Sequence, residues 1–518
     1  MKFTSVFRLT CGIFSLILVT GCEDFLLEED PSNLTSESYF TEPEHADAAL
    51  AAIYANTRFL YGGAGFTAAN FQMLIAPVGI ARTENGESAD LNNLYSRIYE
   101  GDNLLINQFW NGAYRVIGQA NMVIERVPSI TPMDEARKAK IIGEAKFLRA
   151  WAYFYIVRLW GDAPLITTVQ TATSPDFLPN RTPQEEIYEL IVSDLKDAEV
   201  AGLPWMDVTG RVSLAAVKSE LAKVFLTMAG YPLSKGAPYY TLAASKAKEV
   251  IDYAKANPTE INLFPSYEGL RTSAQNNRME RIFEIQFNPE IAGNPVQRYF
   301  LPLSKPITAF APGVGTTAPT ASFYNSYSNG DLRATDQQGY FFTSYYVDGD
   351  GELFDLGVPY IFKFFDQEGH GKPGTQGTAR SNLNIPQIRY AEVLLIYAEA
   401  QNEFNGVTTD AYNALKKIRD RAQLITPDIG NYNQSSFREA VLRERWHELC
   451  YEGILWFDMV RLHIAYDDLN DTFINFIGHK SSSSSGQALQ ERHLLFPLPL
   501  DDMRNNPNLK PQNPGYTN

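Results

Sequence analysis

Catalytic chemistry first suggests itself at His447-Glu448, because an H-E-x-x-H pair on one helix face can hold zinc with the Glu as general base. The second histidine would be residue 451, which is Tyr451. With one ligand absent and only 6 histidines in the chain, zinc peptidase chemistry is set aside. Glu444, Glu448 and Glu452 lie on one helical stripe with Arg445 nearby. Paired carboxylates can do acid–base work, but in an apolar helix beside arginines they read better as structural ion pairs. Asp348-Gly349-Asp350-Gly351-Glu352 has the oxygen-rich start of a calcium loop. The EF-hand pattern wants Gly where Leu353 stands, and a late bidentate Glu that is missing. A hairpin turn accounts for the same residues and is the preferred reading, so no cofactor is assigned and calcium stays as the alternative. GxSxG, Walker A and GxGxxG elements do not occur, which leaves nucleophile-elbow and nucleotide chemistry unsupported. Two carboxylates distant in sequence could still make a glycoside hydrolase, but nothing in the sequence favours one.

Groups suited to binding remain. Tyr95, Tyr99, Tyr324, Tyr327, Tyr345 and Tyr346 fall in loop-like or hairpin contexts, with Arg82, Asp90, Asn92, Asn93, Arg97, Asn325 and Asp331 around them. Flat aromatic faces stack on the C–H faces of sugars, while Asn, Asp and Arg fix hydroxyls by directional hydrogen bonds. The competing reading for each tyrosine is that it packs a loop onto the body.

One cysteine also carries chemistry. Lys2 and Arg8 precede the apolar run Leu9–Val19, whose length suits a signal peptide and falls short of the roughly 20 residues a spanning helix needs. Val19-Thr20-Gly21-Cys22 then resembles a bacterial lipobox, with Cys22 as the lipid-bearing residue. Only Cys11, Cys22 and Cys450 exist. Cys11 is lost with the signal, so a modified Cys22 leaves Cys450 unpaired and excludes a disulfide framework. Acyl chains, palmitate among them, contribute about 0.8 kcal/mol per buried CH₂ and would hold the protein at a membrane surface. The acids Glu23, Asp24, Glu28, Glu29 and Asp30 follow at once, on a tether that also contains Pro31.

The elements that must position these groups are mostly helical. Thr41 to Glu44 reads as a capping box with Pro43 in the first turn. A helix is expected over 107–127. Another, around 141–159, is apolar on nearly every side apart from Arg149 and Arg158, and should be covered on several faces. Thr182-Pro183-Gln184-Glu185 reads as a second helix start, and helices follow over 213–229 and 240–256 in an αα-hairpin rhythm. Between about 264 and 384 Pro and Gly become frequent. The runs GYFFTSYYV and VPYIFKFF predict a hairpin there. Helices return over 385–406, 410–422 and 435–462, the first two a tetratricopeptide-type pair with Leu394, Leu395 and Ala398 facing Ala411, Leu415 and Ile418. SSSSSG at 481–486 reads as a flexible surface link, and the proline-punctuated tail cannot be helical throughout.

Composition fits this picture. At 518 residues, 45% hydrophobic and 20% charged, the chain can bury a large core. A net charge of −16 without basic clusters argues against nucleic acid as a partner.

Five phrases in order, FLRAWAYFYIVRLWGDAPL (147–165), IPQIRYAEVLLIYAEAQN (385–402), ALKKIRDRA (414–422), RERWHELCYEGILWFDMVR (443–461) and LFPLP…NPNLKPQNPGY (495–516), together with the lipobox, resemble the SusD/RagB family of nutrient-binding outer-membrane lipoproteins. The resemblance runs from Cys22 to Tyr516, with one departure: Leu455 stands before Trp456-Phe457-Asp458, where the family often has Arg. It implies a mostly α fold of tetratricopeptide-like helical pairs with an irregular, hairpin-containing insertion. The expected organisation is signal peptide 1–21, lipidated tether 22–40, N-terminal helical region 41–263, ligand-facing region 264–384 and C-terminal helical region 385–518, compact from 41 onward. It also implies a lipid-anchored protein on the outer face of the outer membrane that captures glycans, or in some members peptides, without catalysis. The implied partner is a SusC-like TonB-dependent β-barrel transporter. Ligand loops fall at about 80–103 and 288–350 by position, which singles out Asn92, Tyr95, Tyr324 and Tyr345.

Overall fold

The computed structural model describes residues 39–517 apart from 64, 304, 306, 311, 347–352, 370–379 and 482–485. Cys22, the signal segment and the acidic loop 348–352 therefore lie outside the described residues. The N-terminal half is built from α1 (Pro43–Thr57), α2 (Ala89–Ser96), α3 (Leu104–Arg126), α4 (Glu135–Trp160), α5 (Gln184–Glu199), α6 (Leu214–Ala229) and α7 (Ala237–Ala256). After the irregular region come α8 (Tyr390–Asn405), α9 (Thr409–Arg421), α10 (Gln434–Glu448) and α11 (Leu455–Leu462). Among the described residues no helix is long and apolar enough to cross a membrane.

Consecutive helices pack as hairpins: α4 on α5, α6 on α7, α8 on α9. The stack does not stop at the insertion, because α7 packs directly on α8. Residues between them loop out of a continuous helical body. The loop is closed at its base by β2 (Arg281–Ile285) running antiparallel to β6 (Ile385–Arg389). This corrects the expected helix start at 385: the first five residues of that phrase form a strand, with Pro386 in a two-stranded ladder where a missing N–H costs little.

Two helix starts also differ from expectation. α1 is capped by Glu42 and His45 rather than by Thr41. Thr182 pairs as an isolated bridge with Ala163, and the first N–H of α5 (Gln184) is taken by Asp162 Oδ1 at 2.9 Å. A capping side chain from a distant loop cannot be read from local spacing. Ser213 does cap α6, accepting from Ala216 N at 3.2 Å.

α4 is buried along most of its length, and its two arginines are accommodated differently. Arg149 forms a fork on Asp194 of α5 (2.7 and 2.8 Å) and reaches Asn121 of α3 (2.8 Å), tying three helices through one guanidinium. Arg158 lies between the rings of Phe154 and Phe457, 3.6 Å from each centroid, so its charge is held by π faces. The C-terminal tail docks on the end of α4: Trp160 Nε1 donates to Pro497 O (2.9 Å) and Asn513 Nδ2 to Trp160 O (3.0 Å).

The three glutamates form structural ion pairs, as expected, but they do not share one helix, since α10 ends at Glu448, and Arg445 is not their partner. Arg445 pairs with Asp458, while Glu444 and Glu448 meet Arg333, Arg389 and Arg421. His447 sits in the core with its ring 4.2 Å from Tyr327 and its Nε2 3.0 Å from Ser326 Oγ. Burial, followed by the nearby Arg333, holds it well below the usual imidazole range, so it is neutral. Cys450 is a buried free thiol.

Candidate functional site

The insertion presents a hairpin of β4 (Phe341–Tyr346) and β5 (Leu353–Ile361). Aromatic residues favour paired strands on a half-buried surface, and an antiparallel hairpin forms as expected, though β5 begins at Leu353, inside the segment read as the turn. The register holds a feature that the sequence reading did not anticipate. Phe342 faces Tyr360, yet only two residues later Ser344 faces Asp355. Residues 356–359 of β5 are therefore extruded as a wide bulge, turned at Gly357 (φ 71°) and clipped by Asp355 Oδ1 accepting the Gly357 N–H at 2.8 Å. Bulges re-aim side chains, and Val358 of this one is exposed, as are Leu353 and Phe354 of the same strand.

Beneath the bulge lies a separate hydrophobic cluster containing Leu301, Ala318, Phe342, Tyr345, Tyr360 and Phe362. Above it Phe354 stacks on Tyr345, with ring centroids 5.5 Å apart and planes at 21°. Tyr345 is 7% exposed and Phe354 41%. The buried ring thus supports the exposed one, which offers a flat apolar face to solvent.

A polar group is tied to the same cluster through Tyr360. β1 (Ala81–Arg82) pairs antiparallel with β3 (Ala318–Pro319), and the Glu84 N–H continues the contact to Gly315 O at 2.7 Å. Glu84 Oε1 accepts from Arg82 Nη1 (3.0 Å) and from the Tyr360 hydroxyl (2.7 Å). Burial and then the Glu84 charge push the Tyr360 phenol up to about 12, so it stays a neutral donor. The Leu303 N–H reaches Glu84 Oε2 at 3.4 Å, and Leu303 itself is exposed. Arg82 and Glu84 keep part of their surface in solvent, so a fixed acceptor–donor pair is held on Tyr360 of the hairpin.

The four residues singled out from sequence fare differently. Tyr345 is the support of the stack. Tyr95 projects from α2 and its hydroxyl donates to Thr316 O at 2.8 Å, fixing the strand that leads into β3. Tyr324 lies edge-on to Phe341 at 5.2 Å and donates to Ala334 O at 3.1 Å. Tyr95, Tyr324 and Tyr345 thus all touch the segments that carry the hairpin. Asn92 donates its amide to Gly86 O at 3.0 Å, holding the loop that leads into α2. Of the wider set, Tyr99, Tyr327, Arg97 and Asp331 are corrected to core residues. Tyr99 stacks on Phe496 (5.0 Å), Tyr327 donates to His447 O (2.8 Å), Arg97 donates to Pro77 O and His479 O, and Asp331 pairs with Arg333. Burial pulls the Arg97 guanidinium down to about 10. The sequence reading missed Glu84, Phe354 and Tyr360. Phe354 falls in the segment between the two runs that predict the hairpin, and counting outward from that segment pairs Tyr345 with Tyr360, so its place came only from the observed register; Glu84 comes into view only through the β1–β3 contact.

SSSSSG is not a free link at its described ends. Ser481 is buried and donates to Gly79 O at 2.8 Å, and the Gln487 N–H donates to Ser96 O at 3.0 Å.

Two family models match the chain: residues 24–226 fit "Starch-binding associating with outer membrane" and residues 320–516 fit "SusD family". The crystal structure of a SusD superfamily protein from Parabacteroides distasonis is 36% identical, covers 93% of this chain and 100% of its own, and superposes with a TM-score of 0.84. The chain belongs to the SusD/RagB family. "SusD-like protein P2" of Formosa agariphila is 29% identical over 97% of this chain and 98% of its own length. At 19% identity, the "Surface glycan-binding protein A" of Bacteroides thetaiotaomicron shares the SusD fold with a TM-score of 0.70 over 92% of this chain. Between the two matched segments, residues 227–319 hold α7 and the first part of the insertion.

Proposed function

We propose that this SusD-family protein is a non-catalytic glycan-binding lipoprotein of the outer cell surface, handing oligosaccharide to a SusC-like TonB-dependent transporter. The observation that carries the reading is the exposed Phe354 ring supported by Tyr345, on a hairpin whose Tyr360 also holds the part-exposed Arg82–Glu84 pair. A flat ring takes the C–H face of a sugar, and part-exposed Arg and Glu side chains take hydroxyls. Support also comes from the family description that names starch binding and the outer membrane, and from the fold shared with a surface glycan-binding protein. The lipid anchor through Cys22 rests on the lipobox alone.

A detergent pull-down of the anchored protein, followed by a glycan and peptide panel on the captured complex, tests the reading. A large barrel should come down, an oligosaccharide should bind without turnover, and Phe354→Ala should weaken that binding by about tenfold or more. Peptide-only binding, or reducing-end release abolished by one Asp or Glu substitution, would replace the reading with a peptide receptor or a glycoside hydrolase. Cys22→Ala should move the protein from the membrane to the soluble fraction, and retention in the membrane would refute the anchor.

A further inference from the structure

On other elements, a cleft of about 400 Å³ opens between the loop after α5, residues 259–260 after α7, and the turn leading into β2. Met206, Val208 and Met279 give it an apolar wall, and Thr259 and Gln275 add polar groups. Arg278 stands at the cleft exposed, and among the described residues its guanidinium makes no hydrogen bond or ion pair. Several arginines of the core, Arg149, Arg389 and Arg461 among them, are by contrast forked onto carboxylates. Glu260, also at the cleft, accepts the Tyr253 hydroxyl at 2.7 Å and does not pair with Arg278. Tyr253 in turn stacks on Trp205 at 4.0 Å and 10°, which makes that side of the cleft rigid.

The turn that presents Arg278 is strained and heavily braced. Asn277 (φ 57°) and Met279 (φ 48°) on either side are both left-handed. Asn tolerates that region through local hydrogen bonds, whereas Met has no such compensation. The bracing comes from below. The Asn277 N–H donates to Glu284 Oε2 at 2.5 Å, and Asn277 and Gln286 exchange amide hydrogen bonds at 2.9 and 2.8 Å. Asn384 donates to Gln286 at 2.7 Å. Gly210 (φ +89°) makes room for that carboxamide, since a Cβ there would come within 2.4 Å of it. Strain sustained by so many contacts points to a task for the residue it presents.

We propose that this cleft is a second ligand site, for a saccharide carrying a carboxylate such as a hexuronate unit. A planar guanidinium without a partner takes a carboxylate in two parallel hydrogen bonds. The Met and Val wall matches the C–H face of a pyranose ring, while Gln275 and Thr259 meet its hydroxyls. The volume lies within the range of small-ligand sites. None of these residues belongs to the hairpin face, so the two readings stand or fall separately.

Calorimetric titration of the full chain in detergent tests the proposal, with a hexuronate trimer, its methyl ester and a tripeptide bearing a free C-terminal carboxylate as probes. The acid trimer should bind. Arg278→Gln should weaken it about tenfold or more, Arg278→Lys by less, and Val208→Glu should weaken it through repulsion. The melting temperature of Arg278→Gln should stay unchanged, because the exposed side chain has no partner to lose. Equal binding of the ester, equal binding by Arg278→Gln, tighter binding of the tripeptide, or no binding at millimolar trimer would each overturn the proposal. So would a loss of trimer binding in Phe354→Ala, which would locate the acid on the hairpin face instead.

Discussion

Glu448→Gln removes one negative charge from the centre of the fold while keeping the side-chain volume. Glu448 Oε1 accepts from Arg421 (2.6 Å), Arg389 (3.1 Å) and the Tyr340 hydroxyl (2.7 Å), and Oε2 accepts from Arg333 (3.3 Å). It thereby joins α10 to α9, to β6 and to the loop that enters the hairpin. Burial alone would raise its pKa, but Arg421, Arg389, Arg333 and Lys363 outweigh that and hold the acid at about 2, against an ordinary value of 4.5. At about 1.36 kcal/mol per pKa unit, that gap contributes roughly 3 kcal/mol of stability. The folded-state pKa is depressed, so the contribution is complete above about pH 4.5 and is lost as the pH falls toward 2. Replacing the carboxylate removes one shared counter-charge from Arg333, Arg389 and Arg421, which keep Asp331 and Glu444, Glu280 and Glu452, and Glu280 respectively, so the cost at neutral pH should stay at roughly 3 kcal/mol. Calorimetric unfolding of wild type and variant at neutral and acid pH measures this directly. The melting temperature of Glu448→Gln should fall several degrees below wild type at neutral pH, and the gap should narrow below about pH 4. A gap of the same size at both pH values would show that the loss is steric and refute the electrostatic account.

Three further outcomes follow from the geometry. Asp162→Ala should cost about 1 kcal/mol through the lost cap on α5, while Thr182→Ala stays within about 0.5 kcal/mol in urea unfolding. Gly339→Ala places a Cβ 2.2 Å from Arg333 Cα and should destabilise by about 1–3 kcal/mol or force the hairpin to shift, read by thermal melting and by glycan binding. Cys450, fully buried and with its thiol pushed up first by desolvation, should resist alkylation in the native state at mildly alkaline pH and react once unfolded. Peptide mapping by mass spectrometry distinguishes it from Cys22.

The helical body was legible because its signals are local: the near-continuous apolar length of α4, the Ser213 cap and the facing Leu394 and Leu415 rows depend on residues a few positions apart. The hairpin was legible for the same reason, since aromatic β-formers flank a turn. Helix starts were less so. Asp162 caps α5 across 22 residues of chain, and no spacing rule covers that. The site was read only in part. Loop tyrosines look alike in sequence whether they end in the core, as Tyr99 and Tyr327 do, or support an exposed ring, as Tyr345 does.

By itself, then, the sequence determined the helical pairing, the insertion, the family and the candidate anchor at Cys22, because periodicity, turn chemistry and motif order are properties of neighbouring residues. Only the tertiary structure decided which tyrosine lies under an exposed ring, that Glu84 joins Arg82 and Tyr360, and that Arg278 stands at a cleft without a counter-charge among the described residues. Those are relations between residues up to 276 positions apart, as with Glu84 and Tyr360, and they exist only once burial has closed the chain and forced each polar group to find a partner.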